Sequence, residues 1–150
     1  MSDLRDQPYR GHFQGGEHRF ALRVYYEDTD AGGVVYHASY LRFMERARSD
    51  MLDVAGVDQR AALDGGLGQY VVAEAAIRYL RPARLHDALL VASRMTKIGG
   101  ASCVIHQRVI RDSELLAEAD ITVAFLAPDG RPRRQPRAWA EIFERLKGES

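Results

Sequence analysis

The amino-acid sequence predicts a single α+β domain in which one antiparallel sheet packs around one long helix. Three observations lead there. Residues 38–55 repeat apolar side chains at helical spacing. Four later stretches favour strands and are separated by turns so short that they imply antiparallel pairing. The 150 residues, 46% hydrophobic and 28% charged, fit one soluble core.

The elements follow in order. Residues 1–16 are polar and end in Gly15-Gly16, which predicts a flexible tail ahead of a domain over 17–150. The run FALRVYY predicts a strand over 19–26. After an acid- and glycine-rich loop comes the long helix. Tyr40, Met44, Ala47 and Met51 form its apolar stripe, and Leu41, Leu52 and Ala55 widen it. Arg42, Glu45, Arg46, Arg48 and Asp50 are assigned to the opposite face, and Gly56 marks the stop. Asp58 caps a short helix through Leu63. Strands are expected over 70–79, 88–98, 102–111 and 115–126. In the first of these Val71, Ala73, Ala75, Ile77 and Tyr79 would share a face. A final helix over 136–146, with Pro136 in its first turn, puts Trp139, Ile142, Phe143 and Leu146 on one side.

Composition narrows the function. Twenty-one basic and twenty-one acidic residues give zero formal charge, which argues against nucleic acid as a partner. Cys103 is the one cysteine, so no intrachain disulfide forms, and a reducing compartment fits. The N-terminus lacks the apolar segment of a secretory signal. No apolar run reaches the roughly 18 residues of a membrane span, which leaves peripheral membrane contact open.

The chemistry concentrates in YYEDTDAGGVVYHASY, residues 25–40. Glu27, Asp28 and Asp30 crowd together. Gly32 and Gly33 then let backbone approach a ligand, and Tyr36 and His37 precede the helix. A helix start offers unpaired N–H groups and partial positive charge, able to polarise a carbonyl oxygen. A carboxylate beside it can attack the carbonyl carbon or activate water. Thioesters suit this small tool set, because thiolate leaves readily. The competing readings are a solvated capping turn, a surface histidine, and a metal held by the two aspartates and His37. Hard ions usually need more oxygen ligands than that. Cys103 and His106, three apart on a strand, point to opposite faces and form no catalytic pair. No G-x-S-x-G elbow, P-loop or dinucleotide fingerprint is present. The basic run RPRRQPR, with Arg131, Arg133, Arg134 and Arg137, reads as a solvated turn or a phosphate contact.

RVYYEDTDAGGVVYHASYLRFMERARSDML resembles the signature of the acyl-CoA thioesterases associated with the Tol-Pal system, in the 4-hydroxybenzoyl-CoA thioesterase branch of the hotdog superfamily. The likeness continues through Tyr79, Arg81-Pro82-Ala83 and Asp87, and more weakly to Phe125. It implies a hotdog fold, with domains pairing through their sheets into a homodimer or homotetramer and active sites at the dimer interface. It implies acyl-CoA hydrolysis without cofactor or metal, in the cytoplasm or peripherally at the inner membrane. By motif position Asp30 becomes the catalytic nucleophile or general base. The His37 amide polarises the thioester carbonyl, its side chain being available to orient water or substrate. Tyr36 lines the acyl pocket, and Gly33 and Arg81 contact substrate. Arg84 and the C-terminal arginines are further candidates for coenzyme A phosphates. The hydroxybenzoyl enzymes carry proline after the catalytic aspartate. Ala31 stands here instead, which favours the Tol-Pal-like branch. Two alternatives remain: a weakly catalytic hotdog partner of acyl carrier protein or envelope-lipid enzymes, and a dehydratase, which the D-x-D-x-x-G stretch disfavours.

Overall fold

The computed structural model describes residues 3–149. Met1 and Ser2 of the expected tail, and Ser150 of the expected domain, lie outside the described residues. Two strands open the fold, β1 (His12–Gln14) and β2 (Glu17–Arg23). Helices α1 (Ser39–Ala55) and α2 (Gln59–Asp64) follow. Then come β3 (Gln69–Tyr79), β4 (Ala88–Ile98), β5 (Ser102–Arg111), β6 (Glu114–Leu126) and α3 (Arg137–Gly148). The six strands form one antiparallel sheet in the order β1-β2-β4-β5-β6-β3. Since β2 lies near one edge and β3 forms the other, the chain between them must cross the sheet, and α1 makes that crossing. This is the hotdog arrangement.

Periodicity explains the packing. On α1, Tyr40, Phe43, Met44, Ala47 and Met51 are buried. They share one core with Val91 and Met95 of β4, Ile105 and Val109 of β5, and Ile121 of β6. Each large side chain so buried contributes roughly 1.5–3 kcal/mol. Gly56, at φ +93°, ends α1 in the left-handed conformation that glycine adopts without a steric cost. Asp58 caps α2 by accepting the Ala61 N–H at 2.9 Å.

Four expectations are corrected. The strand expected over 19–26 runs Glu17–Arg23, because the chain turns into a 3-10 helix at Tyr26–Asp28. Residues 12–14, assigned to a loose tail, form an edge strand paired with β2. Gly15 and Gly16 make the turn, and a Cβ at Gly16 would collide with the Leu146 carbonyl of α3. The alternation on β3 is broken by a bulge between Val72 and Glu74. Val72 opposes buried Val123, while Ala75, Ile77 and Tyr79 oppose Ile121, Ala119 and Ala117. Val71 therefore sits on the other face, because one extra residue reverses the side-chain order. Pro136 precedes the last helix as its N-cap, with extended ψ of 136°, and is not in its first turn.

Candidate active site

Backbone bonds shape the loop between β2 and α1. Tyr26–Asp28 make one turn of 3-10 helix. The Asp28 carboxylate accepts the Tyr25 N–H at 2.9 Å, and its carbonyl accepts the Tyr36 N–H at 2.9 Å. Asp28 is thus occupied in holding the loop. Asp30 donates its N–H to the Val34 carbonyl at 2.9 Å, and its own carbonyl accepts the Gly33 N–H at 3.0 Å. Its Oδ1 accepts the Gly32 N–H at 2.8 Å. These bonds close a tight turn in which Gly33 takes φ +80°. The Asp30 side chain faces a cleft of about 480 Å³ lined also by Tyr26, Thr29, Gly33 and Leu85.

The second half of the loop is pinned from the other side. The Val35 N–H reaches the Ala83 carbonyl at 2.8 Å, and the Ala83 N–H reaches the Tyr40 hydroxyl at 3.0 Å. The Tyr79 hydroxyl donates to the His37 carbonyl at 2.8 Å. Burial raises the Tyr79 hydroxyl's pKa, so it stays a donor at neutral pH. No protein acceptor among the described residues takes the His37 N–H, which lies one residue ahead of Ala38, the N-cap of α1. The His37 ring packs against Tyr36 and Tyr79, with centroids 4.5 and 6.2 Å apart. His37 lines a second cleft, of about 270 Å³, with Tyr40, Tyr79, Leu80 and Arg81.

The structure thus gathers Asp30 and Gly33 in one cleft and His37 and Arg81 in another. Tyr36 lines neither; its exposed ring covers one side of His37. Arg81 keeps its guanidinium near Glu114, at 3.2 Å, and is otherwise exposed. Behind this rim, burial would raise the Asp87 carboxyl, but the Arg84 N–H and Arg111 outweigh it and hold its pKa low. Arg111 bridges Asp87 and Glu114 at 2.8 and 2.5 Å, tying the β3–β4 turn to β5. No group of three or more potential metal-ligating side chains converges among the described residues.

Two residues of α1 were misassigned from sequence: Leu41, placed on the apolar stripe, is exposed, and Arg48 is buried. Arg48, expected on the solvent face of α1, is 9% exposed. Its Nη1 donates to Gln107 Oε1 at 2.9 Å, and Gln107 donates to the Met44 carbonyl and to Ser93 Oγ. Arg48 lines a cavity of about 440 Å³ between α1 and β3. Helical spacing marks it: Arg48 falls four residues after Met44 and four before Leu52, on the buried stripe, and its charge alone read as surface.

The arrangement of strand, acidic turn and helix start can now be set beside known proteins. A model of the thioesterase-like superfamily matches residues 24–144, beginning just ahead of the loop. The chain belongs to that superfamily. It is a thioesterase of the hotdog fold. The acyl-CoA thioesterase YbgC of Haemophilus influenzae is 44% identical over 129 residues, covering 85% of this chain and 95% of that protein. A solved probable thioesterase from Bartonella henselae shares 35% identity at a TM-score of 0.76, over 80% of this chain and 99% of its own. A Thermus thermophilus thioesterase, solved with coenzyme A and Zn, shares 29% identity at a TM-score of 0.77, over 91% of this chain and 97% of its own.

Proposed function

We propose that this thioesterase hydrolyses acyl-CoA to free carboxylic acid and coenzyme A, working as a dimer with Asp30 as its catalytic carboxylate. The observation that carries the reading is the division of labour in the D-x-D. Asp28 is consumed by the loop, whereas Asp30 is presented to a cleft in the segment that leads into α1. In the reaction the thioester carbonyl oxygen accepts the His37 N–H, and the helix start stabilises the charge that develops there. The Asp30 carboxylate either adds to the carbonyl carbon, expelling thiolate and leaving an anhydride for water to cleave, or takes a proton from the attacking water. The names of the relatives support a coenzyme A thioester as substrate.

A dimer accounts for the split between the two clefts. β3 is an edge strand bonded on one side only, to β6. Along it Val72 and Tyr79 remain 48% and 45% exposed, unusual for apolar inward-facing positions. A second copy pairing its β3 there would cover that edge and close the clefts into one site. No helix among the described residues is long and apolar enough to cross a membrane. A coenzyme A thioester as substrate supports a place in the cytoplasm or peripherally at the inner membrane.

The test is thiol release from short, long and aromatic acyl-CoAs, followed as the protein is diluted through its dissociation range in the ultracentrifuge. Turnover that falls with the dimer fraction is expected. Turnover by the monomer would remove the dimer from the mechanism. Absence of turnover on every acyl-CoA would replace catalysis with thioester or carrier-protein binding.

A further inference from the structure

We propose that the cavity between α1 and β3 holds the acyl group of the substrate and that Arg48 binds a carboxylate at its far end. The enzyme would then select ω-carboxyacyl thioesters. This inference rests on the reading that thioesters are cleaved at the start of α1.

Arg48 is buried, yet no carboxylate among the described residues lies within ion-pair distance of it. A buried guanidinium without a counter-charge is costly, and such groups normally have a partner. One of its five N–H donors is used, by Gln107 Oε1. Gln107 cannot turn away, because its amide nitrogen is bonded to the Met44 carbonyl and Ser93 Oγ at 3.0 and 2.9 Å. The guanidinium is therefore held in place with donors to spare.

The rest of the lining offers little to satisfy it. Leu52, Val72, Met95 and Phe143 form apolar walls, and the neutral polar residues Ser49 and Gln59 in the lining make no hydrogen bond to Arg48. Burial pushes the Cys103 thiol up to about 12, so it is neutral. The Tyr70 hydroxyl, also raised by burial, is engaged with Gln135 Oε1 at 2.6 Å. Glu45 stands at the exposed mouth of the cavity. Burial lowers the Arg48 pKa and Glu45 opposes that, yet Arg48 remains charged in the ordinary pH range. The inner walls of the cavity are thus apolar around one positive charge, with Glu45, Ser49 and Gln59 the other polar groups of the lining beside the engaged Tyr70, a complement to an apolar chain that ends in an anion.

The position suits the acyl end. The His37 cleft and the Arg48 cavity lie along one seam between α1 and β3. Gln107 holds the guanidinium at the level of Met44, about two helical turns or roughly 10 Å beyond His37. An acyl chain of roughly eight carbons, with its carbonyl at the His37 amide, covers that rise.

The test compares kcat/KM for matched pairs of plain and ω-carboxyacyl-CoAs of about six to twelve carbons. It uses the wild type, Arg48→Met and Arg48→Lys. The wild type should favour the carboxylated member by about tenfold or more near eight carbons. Arg48→Met should reverse that ratio, and Arg48→Lys should keep part of it. Calorimetric binding of free octanedioate against octanoate to the wild type provides a readout independent of turnover and of any variant's folding. Octanedioate binding without turnover of any acyl-CoA would retract the hydrolytic reading and leave the anion-binding cavity standing. A wild type that favours the plain chain at every length, or binds octanedioate no better than octanoate, overturns the proposal. So does an Arg48→Met protein with the wild-type ratio.

Discussion

Two aspartates flank opposite ends of α1 and have opposite fates. Asp50 lies near its C-terminal end, where Oδ2 accepts the Gly11 N–H at 2.9 Å and meets His18 Nε2 at 2.6 Å. It clamps the N-terminal hairpin onto the helix. The Asp30 carboxylate, before the N-terminal end, accepts one bond, from Gly32 two residues away, and is exposed. The Asp50 carboxylate is engaged through Oδ2 by distant parts of the chain, and its loss is felt by the fold. The Asp30 carboxylate is oriented by its own turn, and its loss leaves the fold alone. Local orientation with an open face is what a reacting group needs.

The largest stability effect should come from Asp50→Ala. It strands the Gly11 N–H and the His18 ring N–H, costing about 2–4 kcal/mol in urea unfolding. Thioesterase activity per folded molecule should be unchanged. A smaller loss, about 1 kcal/mol, is expected for Asp28→Ala, which releases the Tyr25 N–H. Because this loosens the loop proposed to carry catalysis, activity should fall as well, so Asp28 is intermediate between the other two.

The smallest effect is a pH dependence. Burial pushes the His18 pKa below its ordinary 6.5, and Asp50 only partly opposes this. The neutral ring fits, with Nε2–H donating to Asp50 and Nδ1 buried without a partner. Unfolded His18 takes up a proton near pH 6.5 that the native state refuses. Stability should therefore be flat above about 6.5 and fall as pH drops below it. At lower pH, Glu17 and Asp87, both held below the ordinary carboxyl range, add a second loss as they protonate. Denaturant titrations from pH 8 to 5 should show the first decline in the wild type and a flatter profile in His18→Gln.

Much of this was legible in the sequence, for reasons that also explain what was not. The stripe of Tyr40, Met44, Ala47 and Met51 defined α1, because one apolar face is enough to fix a helix against a sheet. Strands β4 and β5 have the expected bounds, since Gly99-Gly100 and Asp112-Ser113 turn the chain sharply. The hairpin at Gly15-Gly16 carried its own signal, two glycines between HFQ and EHRF, but its first strand is short and polar and read as tail. The bulge on β3 left no trace, because Val71 and Val72 are equally apolar. Within the site, the position of Asp30 before the helix was readable from the loop motif. Arg48 was misread from its charge although its spacing from Met44 and Leu52 places it on the buried stripe, and its partner Gln107, 59 residues further along the chain, could not be read.

The most direct test of the central claim is Asp30→Asn, assayed for thiol release on the best acyl-CoA and for stability in urea. The account predicts a fall in kcat/KM of about a hundredfold or more, with stability within about 0.5 kcal/mol of wild type. An Asp30→Asn enzyme that unfolds like the wild type and turns over as fast would contradict it.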